Sequence, residues 1–207
     1  MKLISFGPVR LSFPVIFRAA PFGDGSEPDY SANFLIGPAD VGRELVPDGS
    51  GKKVRVDLPE GGLVVRIQEA MLAACEEKWP GKGAQMYAQL EATDKLCLHN
   101  GNLKDWDGYA DNWYLSTRSP ISAKPRIVDR NNELVDPNSG RVYGGCYVLL
   151  TCEIFAQDNQ FGKRVNAQLQ GVQFHHDGDS FGGARPAQQD DFETLPEEEN
   201  PELAGLI

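Results

Sequence analysis

Aromatic and basic side chains interleave between residues 104 and 164, and together they could bind a nucleic acid. Four rings fall within nine residues, namely Trp106, Tyr109, Trp113 and Tyr114, and among those that follow are Tyr143, Tyr147 and Phe155. The bases of the same region are Lys104, Arg118, Lys124, Arg126, Arg130, Arg141, Lys163 and Arg164. Exposed rings stack on nucleobases, each contributing about 1–3 kcal/mol, while cations follow the phosphates. The pattern is therefore typical of proteins that bind single strands.

Strand alternation separates the residues of this region that face solvent from those that pack inside. In the strand predicted over residues 112–118, one face carries Trp113, Leu115 and Thr117, and the other carries Tyr114, Ser116 and Arg118. In the strand predicted over 147–155, the inward face carries Val148, Leu150, Cys152 and Ile154, and the outward face carries Tyr147, Thr151 and Phe155. Because side chains alternate with period two, we expect Tyr114 and Arg118 to face solvent. The candidate DNA-binding residues are Tyr114, Arg118, Lys124, Arg126, Tyr143, Tyr147, Phe155, Lys104, Lys163, Arg164 and Arg10.

Other chemistry finds less support in the sequence. The P-loop, the zinc-protease helix and the nucleophile-elbow motif are all missing, so no enzyme activity, metal or cofactor is expected. Asp105, Asp107 and Asp111 could hold Mg²⁺ for a nuclease, but turn and capping roles explain them better. Aromatic residues of β proteins mostly pack in cores, and acids balance the bases here. A protein-interaction or assembly module without nucleic-acid binding therefore remains the alternative.

The elements that must position these residues are mostly short strands. We predict strands over residues 10–17, 30–36, 53–56, 87–90, 96–99, 112–118, 147–155 and 165–174, and a hairpin between 126 and 143. In the first strand, Leu11, Phe13, Val15 and Phe17 share a face, and Pro14 indicates an edge or bulged strand. An amphipathic helix is predicted over residues 59–79, capped by Asp57 and ended by Pro80-Gly81. This order favours an antiparallel barrel or sandwich with a helical insertion.

The acidic charge of the chain is concentrated in its last segment. The 207 residues contain 30 acids and 20 bases, a net charge of −10. Residues 187–207 hold no Lys or Arg and seven acids: Asp190, Asp191, Glu193, Glu197, Glu198, Glu199 and Glu202. Removing those seven leaves 23 acids against 20 bases, about −3. So acidic a segment is expected to be a solvated tail, and such tails often bind partners.

The sequence shows neither a membrane-spanning run nor a signal peptide, and this bears on where in the cell the protein is expected. No apolar run is long enough to cross a membrane, and the first residues do not resemble a signal peptide. We therefore expect a protein of the cytoplasm that does not bind membranes. Its four cysteines are expected to be reduced thiols.

Three segments together resemble the single-stranded DNA-binding proteins of tailed bacteriophages. The first is Asp29-Tyr-Ser-Ala-Asn-Phe-Leu-Ile36, which follows an early Phe13-Pro14. The second is Asp107-Gly-Tyr-Ala-Asp-Asn-Trp-Tyr-Leu115, followed by Ser119-Pro120 and Lys124-Pro-Arg-Ile-Val-Asp129. The third runs from Val142-Tyr-Gly-Gly-Cys-Tyr-Val148 to Gly171-Val-Gln-Phe-His-His-Asp-Gly178. The order and spacing of the three are more specific than any one motif.

The resemblance implies a mainly β fold: an OB-fold-like antiparallel barrel with one amphipathic helix and elaborated loops. Residues 1–185 would form one single-stranded DNA-binding domain, and residues 186–207 an acidic C-terminal tail. The resemblance also implies sequence-tolerant, non-enzymatic binding during phage DNA replication, recombination or repair in the cytoplasm of the infected bacterial host. It leaves monomer and dimer both open.

The resemblance also implies that the acidic C-terminal tail contacts replication or recombination proteins. Many such tails end in an aromatic residue, whereas this segment ends in Leu206-Ile207 and its single ring is Phe192. Docking through a terminal aromatic residue is therefore in doubt for this chain.

Overall fold

The computed structural model of the chain describes residues 2–21, 23, 25–38, 40 and 42–181. The predicted acidic tail lies outside these residues. The described part is mainly β, and its strands are β1 (Lys2–Ala20), β2 (Asp29–Ile36), β3 (Arg43–Pro47), β4 (Lys53–Asp57), β5 (Leu98–Asn100), β6 (Trp113–Pro120), β7 (Arg126–Val128), β8 (Tyr147–Asn159) and β9 (Gly162–His176). Its helices are α1 (Gly62–Lys78) and α2 (Gly83–Ala92).

Five strands form a closed ring in the order β1-β2-β6-β9-β8 and back to β1. Neighbours in the ring are antiparallel, except that β6 and β9 run parallel and pair only at Arg118 and Gln168. The ring is therefore irregular and loosely closed at that point. A partly open five-stranded barrel is the OB-fold arrangement, so the predicted fold class is confirmed.

The remaining strands extend the ring. The β3–β4 hairpin pairs with β1 at Phe6 and Gly7, while β5 pairs with β6 and β7 runs parallel to β9. The predicted hairpin between residues 126 and 143 is reduced to β7 and a single bridge from Val128 to Leu134. The hairpin β3–β4 thus stands outside the ring, against the outer side of β1.

The core fills the ring and is covered by α1. The residues of β8 that were expected to point inward, Val148, Leu150, Cys152 and Ile154, are all fully buried. Helix α1 buries Leu63, Ile67, Ala70, Met71, Ala74 and Cys75, which recur at helical spacing. Burying each large apolar side chain contributes about 1.5–3 kcal/mol, so this stripe fixes the helix on the ring. The predicted helix is confirmed, with its first residue at Gly62.

The predicted cap of α1 is wrong. Gly61 occupies the N-cap position with a φ of 69°, and no side chain caps the helix. Asp57 instead ends β4, where its carboxylate accepts a hydrogen bond from Arg43 at 2.7 Å. Asp57 therefore lies four residues before the N-cap position, too far back to fill the capping role.

A second helix replaces the strand predicted over residues 87–90. Helix α2 buries Met86 and Leu90, four residues apart on one face, beside Gly83. Gly83 packs against Glu76 of α1 so closely that a Cβ would clash with the α1 backbone. The short apolar run is thus one face of a helix, and the strand assignment mistook its period.

A bulge in β1 breaks the predicted alternation. The register with β2 shifts between Ser12 and Val15, and Phe13 has a φ of 46°. Ser12 and Ile16 become buried, while Phe13 turns out and is 55% exposed. The bulge that Pro14 suggested is therefore confirmed, but the shared face of the four apolar residues is not.

Candidate nucleic-acid interface

A groove of about 650 Å³ crosses the ring where β6 meets the β8–β9 hairpin. We call it the hairpin groove. It is lined by Glu27, Pro28, Asp29, Asp94, Lys95, Leu96, Cys97, His99, Ser116, Arg118, Ser119, Pro120, Phe155, Gln157, Arg164, Val165, Asn166, Ala167 and Gln168. Its walls include the loop between β1 and β2, strand β6, and the β8–β9 hairpin. In OB-folds these are the surfaces that bind oligonucleotides.

Arg118 stands at the mouth of the hairpin groove. Its Nη1 lies 3.2 Å from Oδ2 of Asp29, and the two side chains are 48% and 20% exposed. Exposed ion pairs of this kind contribute about 0–1 kcal/mol, so the guanidinium can exchange this carboxylate for a phosphate at small cost. Arg118 therefore fulfils the prediction that it faces solvent.

Arg164 lies on the outward face of β9 within the same groove. Its Nε is buried and has no hydrogen-bond partner among the described residues. Leaving a buried donor unsatisfied costs about 1–3 kcal/mol, more for a charged group. The side chain of Arg164 lines the groove, where a phosphate would meet its guanidinium group.

Phe155 and a row of amides line the hairpin wall. Phe155 is half-buried and pairs across the hairpin with Asn166, whose Nδ2 donates to Gln157 Oε1 at 2.8 Å. Gln168 follows on the same outward face. A ring beside amides that can donate and accept suits bases of any identity, because the amides adapt while the ring stacks.

The opposite wall is held by the segment 94–99. His99 Nδ1 lies 2.7 Å from Asp94 Oδ1, and the imidazole stacks on Tyr114 at 4.9 Å with an interplanar angle of 22°. The backbone N–H of Val165 donates to the carbonyl of Lys95 at 2.9 Å, which ties this wall to β9. The groove is thus braced from both sides.

A connected row of rings leads from the hairpin groove to the surface. His99 stacks on Tyr114, Tyr114 lies 5.1 Å from Tyr109, and Tyr109 lies 5.1 Å from Trp106 and 6.2 Å from Phe13. We call these five residues the aromatic row. Its outer end is exposed, Phe13 by 55% and Trp106 by 43%.

The outer end of the aromatic row also carries a cation. Lys104 Nζ lies 5.2 Å above the ring of Trp106. The sequence analysis chose Lys104 but grouped Phe13 with Leu11 on one apolar face, because the bulge that turns Phe13 outward depends on pairing with β2. The signal that could have found it was the Phe13-Pro14 pair, since Pro inside a strand often marks a bulge.

The predicted outward position of Tyr114 is wrong, since the residue is only 5% exposed. The segment 101–112 folds over the outer face of β6, where its Tyr109 packs against Tyr114 and against Leu35 of β2. Burial raises the pKa of Tyr114 to about 12. A side chain covered in this way cannot stack on a base without displacing that segment.

Tyr143 is also buried, at 8% exposure, and has a structural role. Its hydroxyl contacts Asp177 Oδ1 at 3.0 Å and the carbonyl of Gly178 at 2.9 Å. Burial is the first cause that raises the pKa of this phenol. Tyr143 therefore fastens the turn after β9 rather than presenting a ring to a ligand.

The other predicted residues are distributed over separate surfaces. Arg118, Phe155 and Arg164 share the hairpin groove, whereas Lys104 belongs to the aromatic row. Tyr147 is half-buried and stacks on His176 at 4.4 Å, and Arg10 lies 4.2 Å above the ring of Phe181. Lys163 lies 3.4 Å from Asp158 and 5.5 Å above the ring of Trp79. Lys124 and Arg126 are exposed before and at the start of β7.

The charge of the hairpin groove is nearly balanced. Glu27, Asp29 and Asp94 face Lys95, Arg118 and Arg164 across it. Long-range attraction of a polyanion is consequently weak, and binding must rely on close contacts.

The thiols of the described residues are buried and inert. All four cysteines are free, and burial raises the pKa of Cys97 to about 12 and that of Cys75 and Cys146 to about 11. No group of three or more His, Cys, Asp or Glu side chains in the described ranges could hold a metal ion. Within the same ranges, neither helix has the length and apolar character needed to cross a bilayer.

Comparisons with known proteins identify the family of the chain. A family model described as Enterobacter phage Enc34, ssDNA-binding protein matches residues 56–203. A putative protein p50 of Acyrthosiphon pisum secondary endosymbiont phage 1 is 35% identical over 202 residues, 97% of each chain.

Solved structures give the same result. The single-stranded DNA-binding protein from bacteriophage Enc34 in complex with ssDNA matches with a TM-score of 0.66 and 25% identity, over 87% of this chain and 89% of that chain. A single-stranded DNA-binding protein encoded by bacteriophage T7 shares the fold, with a TM-score of 0.51 and 14% identity over 92% of each chain. The chain therefore belongs to the Enc34 phage single-stranded DNA-binding protein family.

Proposed function

We propose that this protein binds single-stranded DNA, without catalysing a reaction and without strong sequence preference, in the hairpin groove. The observation that carries the proposal is the coincidence of this groove with the oligonucleotide-binding surface of OB-folds. Membership of a family whose Enc34 representative was solved in complex with ssDNA supports it.

The groove supplies both components that single-strand binding needs. Arg118, Arg164 and Lys95 would contact phosphates, and Phe155 and His99 would offer ring faces to bases. The amides on the hairpin can hydrogen-bond any base edge. Stacking and phosphate contacts carry little sequence information, so binding would tolerate most sequences.

We further propose that a strand longer than the hairpin groove also contacts the exposed outer end of the aromatic row. Phe13 and Trp106 are exposed at its outer end, and Lys104 lies beside them to meet a phosphate. Arg10, Lys124, Arg126, Tyr147 and Lys163 remain candidates for peripheral contacts. Tyr114 and Tyr143 would act by supporting the surface, because both are buried.

The biological setting that we propose is phage DNA replication, recombination or repair. Residues 187–207 would dock replication or recombination proteins and would also compete with DNA for basic surface, since seven carboxylates on one short segment mimic a polyanion. Because charge attracts both the acidic segment and DNA to the basic surface, the competition should be strongest at low salt.

Titration with labelled oligo-dT tests the central proposal directly. Fluorescence anisotropy at low salt should show saturable binding that weakens as salt rises, and oligo-dA should bind within a small factor of oligo-dT. A chain that binds no oligonucleotide at low salt but captures proteins would instead be an interaction module. Cleavage of the oligonucleotide with Mg²⁺ would indicate a nuclease.

A further inference from the structure

A second concave surface lies on the far part of the β8–β9 hairpin, away from the hairpin groove. This cavity of about 560 Å³ is lined by Gly7, Pro8, Arg43, Arg55, Arg130, Leu149, Gln173, Phe174 and His175. We call it the arginine groove. The β3–β4 hairpin supplies Arg43 and Arg55, and the turn after β7 supplies Arg130.

The arginine groove is strongly positive because carboxylates do not compensate it. No Asp or Glu of the described residues lines it. Arg55 and Arg130 form no salt bridge with any described residue, whereas Arg43 pairs with Asp57 at 2.7 Å in an exposed contact. The nearby Asp129 carboxylate is occupied by the backbone N–H groups of Asn131 and Glu133.

The electrostatics of His175 agree with this geometry. Its pKa is lowered, first by burial and then by His176 and by Arg130, Arg55 and Arg43. Three guanidinium groups therefore act on one point of the groove, and of the three Arg43 is paired with a carboxylate, that of Asp57.

The chemistry of the arginine groove suits carboxylates better than a base-stacking strand. Its one phenyl ring, Phe174, is only 5% exposed and is covered by the Arg141 guanidinium at 5.6 Å. Single-strand sites depend on accessible rings. Guanidinium groups with an amide from Gln173 instead match short acidic side chains on a peptide.

The chain itself carries such a peptide within reach. Phe181, the last described residue, donates its N–H to the carbonyl of Gly144 at 3.0 Å, and Leu149 of the arginine groove follows five residues after Gly144. Five strand residues span about 17 Å. Asp190, the first acid of the segment, lies nine residues beyond Phe181, a maximal reach of about 30 Å.

We propose that the arginine groove binds the acidic segment 187–207 of the same chain. The inference deepens the proposed function, because it assigns the segment a docking surface distinct from the hairpin groove. Docking there keeps the acids away from the DNA site until a partner protein or a long strand removes them.

A paramagnetic label on the acidic segment tests this docking in the full chain. The described cysteines are all buried, so Thr194→Cys provides one accessible thiol for a nitroxide. In the amide NMR spectrum, signals of residues 55, 130 and 173 should lose most of their intensity, while those of 157, 166 and 168 should not. Reduction of the nitroxide should restore them.

Two charge-reversed variants distinguish docking from general attraction. R55E/R130E should abolish the signal loss, whereas K78E/K82E changes the net charge equally on the two helices and should retain it. Loss at residues 157, 166 and 168, or at no described residue, would overturn the proposal. The proposal would also be overturned if the signal loss appeared only between labelled and unlabelled molecules in a mixed sample, because the docking would then join two molecules.

Oligo-dT binding keeps this test separate from that of the proposed function. It is measured on chains shortened by residues 187–207, so that a released acidic segment cannot compete with DNA. In this background R55E/R130E should bind a short oligo-dT as tightly as the chain that retains both arginines. If it binds as weakly as a variant that lacks Arg118 and Arg164, the arginine groove is a nucleic-acid contact and the peptide assignment is wrong. If docking occurs but no variant binds oligo-dT, the proposed function fails and the docking stands.

Discussion

Removing both arginines of the hairpin groove should change how DNA binding depends on salt. The groove offers three Lys or Arg side chains to phosphates, namely Lys95, Arg118 and Arg164. Each phosphate neutralised on a single strand contributes a log–log slope of about −0.7, so the groove alone gives about −2. In R118A/R164A only Lys95 remains, and the slope should fall to about −0.7.

The loss of affinity can be estimated from the contacts of each side chain. Hydrogen bonds to charged groups contribute about 1.5–3 kcal/mol. Arg118 must first leave Asp29, an exposed pair that contributes at most about 1 kcal/mol. Arg164 gains a partner for a donor that is unsatisfied in the free protein. Together the two should contribute about 3 kcal/mol or more, roughly a hundredfold in dissociation constant at low salt.

Fluorescence anisotropy of a short labelled oligo-dT across a salt series measures both quantities. K78A/K82A removes the same charge from the two helices outside the groove and should keep the original slope. R118K/R164K retains the charges and should keep the slope while affinity falls modestly, because the planar donor fork is lost. If R118A/R164A keeps the original slope while remaining folded by circular dichroism, the hairpin groove does not hold the phosphates.

Four further predictions concern charge and stability. D29N should tighten oligo-dT binding a few-fold in the same titration, because Arg118 then has no ion pair with residue 29 to break before it contacts a phosphate. Y143F removes hydrogen bonds to the turn at 177–178 and should lower the free energy of unfolding by about 1–3 kcal/mol in urea, with DNA binding unchanged. Burial raises the pKa of Cys97 from 9.0 to about 12, so between these pH values the thiol ionises in the unfolded chain but not in the folded one. The contribution of Cys97 to the free energy of unfolding should therefore be fully present below pH 9 and should fall as pH rises toward 12. A series of urea denaturations over this pH range measures the change. Deleting residues 187–207 should tighten oligo-dT binding at low salt, and equal or weaker binding by the shortened chain would contradict the competition.

The sequence predicted the ring strands well, since period-two alternation is a local signal. β8 shows this clearly, because Val148, Leu150, Cys152 and Ile154 are buried as expected. The helix α1 was predictable for the same reason, with apolar residues at helical spacing over more than four turns. For α2 the apolar run was too short to distinguish the two periods, and contact with α1 decides the outcome.

The candidate site was harder to predict, because alternation identifies faces but not what covers them. Tyr114 and Arg118 share one face of β6, yet one is 5% exposed and the other opens into the groove. The difference arises from the segment 101–112, which covers only the first half of the strand. Phe13 shows the reverse case, in which a bulge exposes a ring that alternation had grouped with the buried Leu11. Both outcomes depend on contacts between distant parts of the sequence.

The two grooves lie on one hairpin, and this arrangement limits how they can influence each other. Gln168 lines the hairpin groove and His175 the arginine groove, and seven strand residues separate them by roughly 23 Å. β8 and β9 stay paired between the two grooves, so an acidic segment bound in one groove would affect DNA in the other by its charge rather than by its bulk. The Debye length is about 10 Å at 0.1 M salt and about 30 Å at 0.01 M. The influence of residues 187–207 on short oligonucleotides should therefore be strong at the lower salt and nearly vanish at the higher one, whereas direct occupation of the hairpin groove would persist across both.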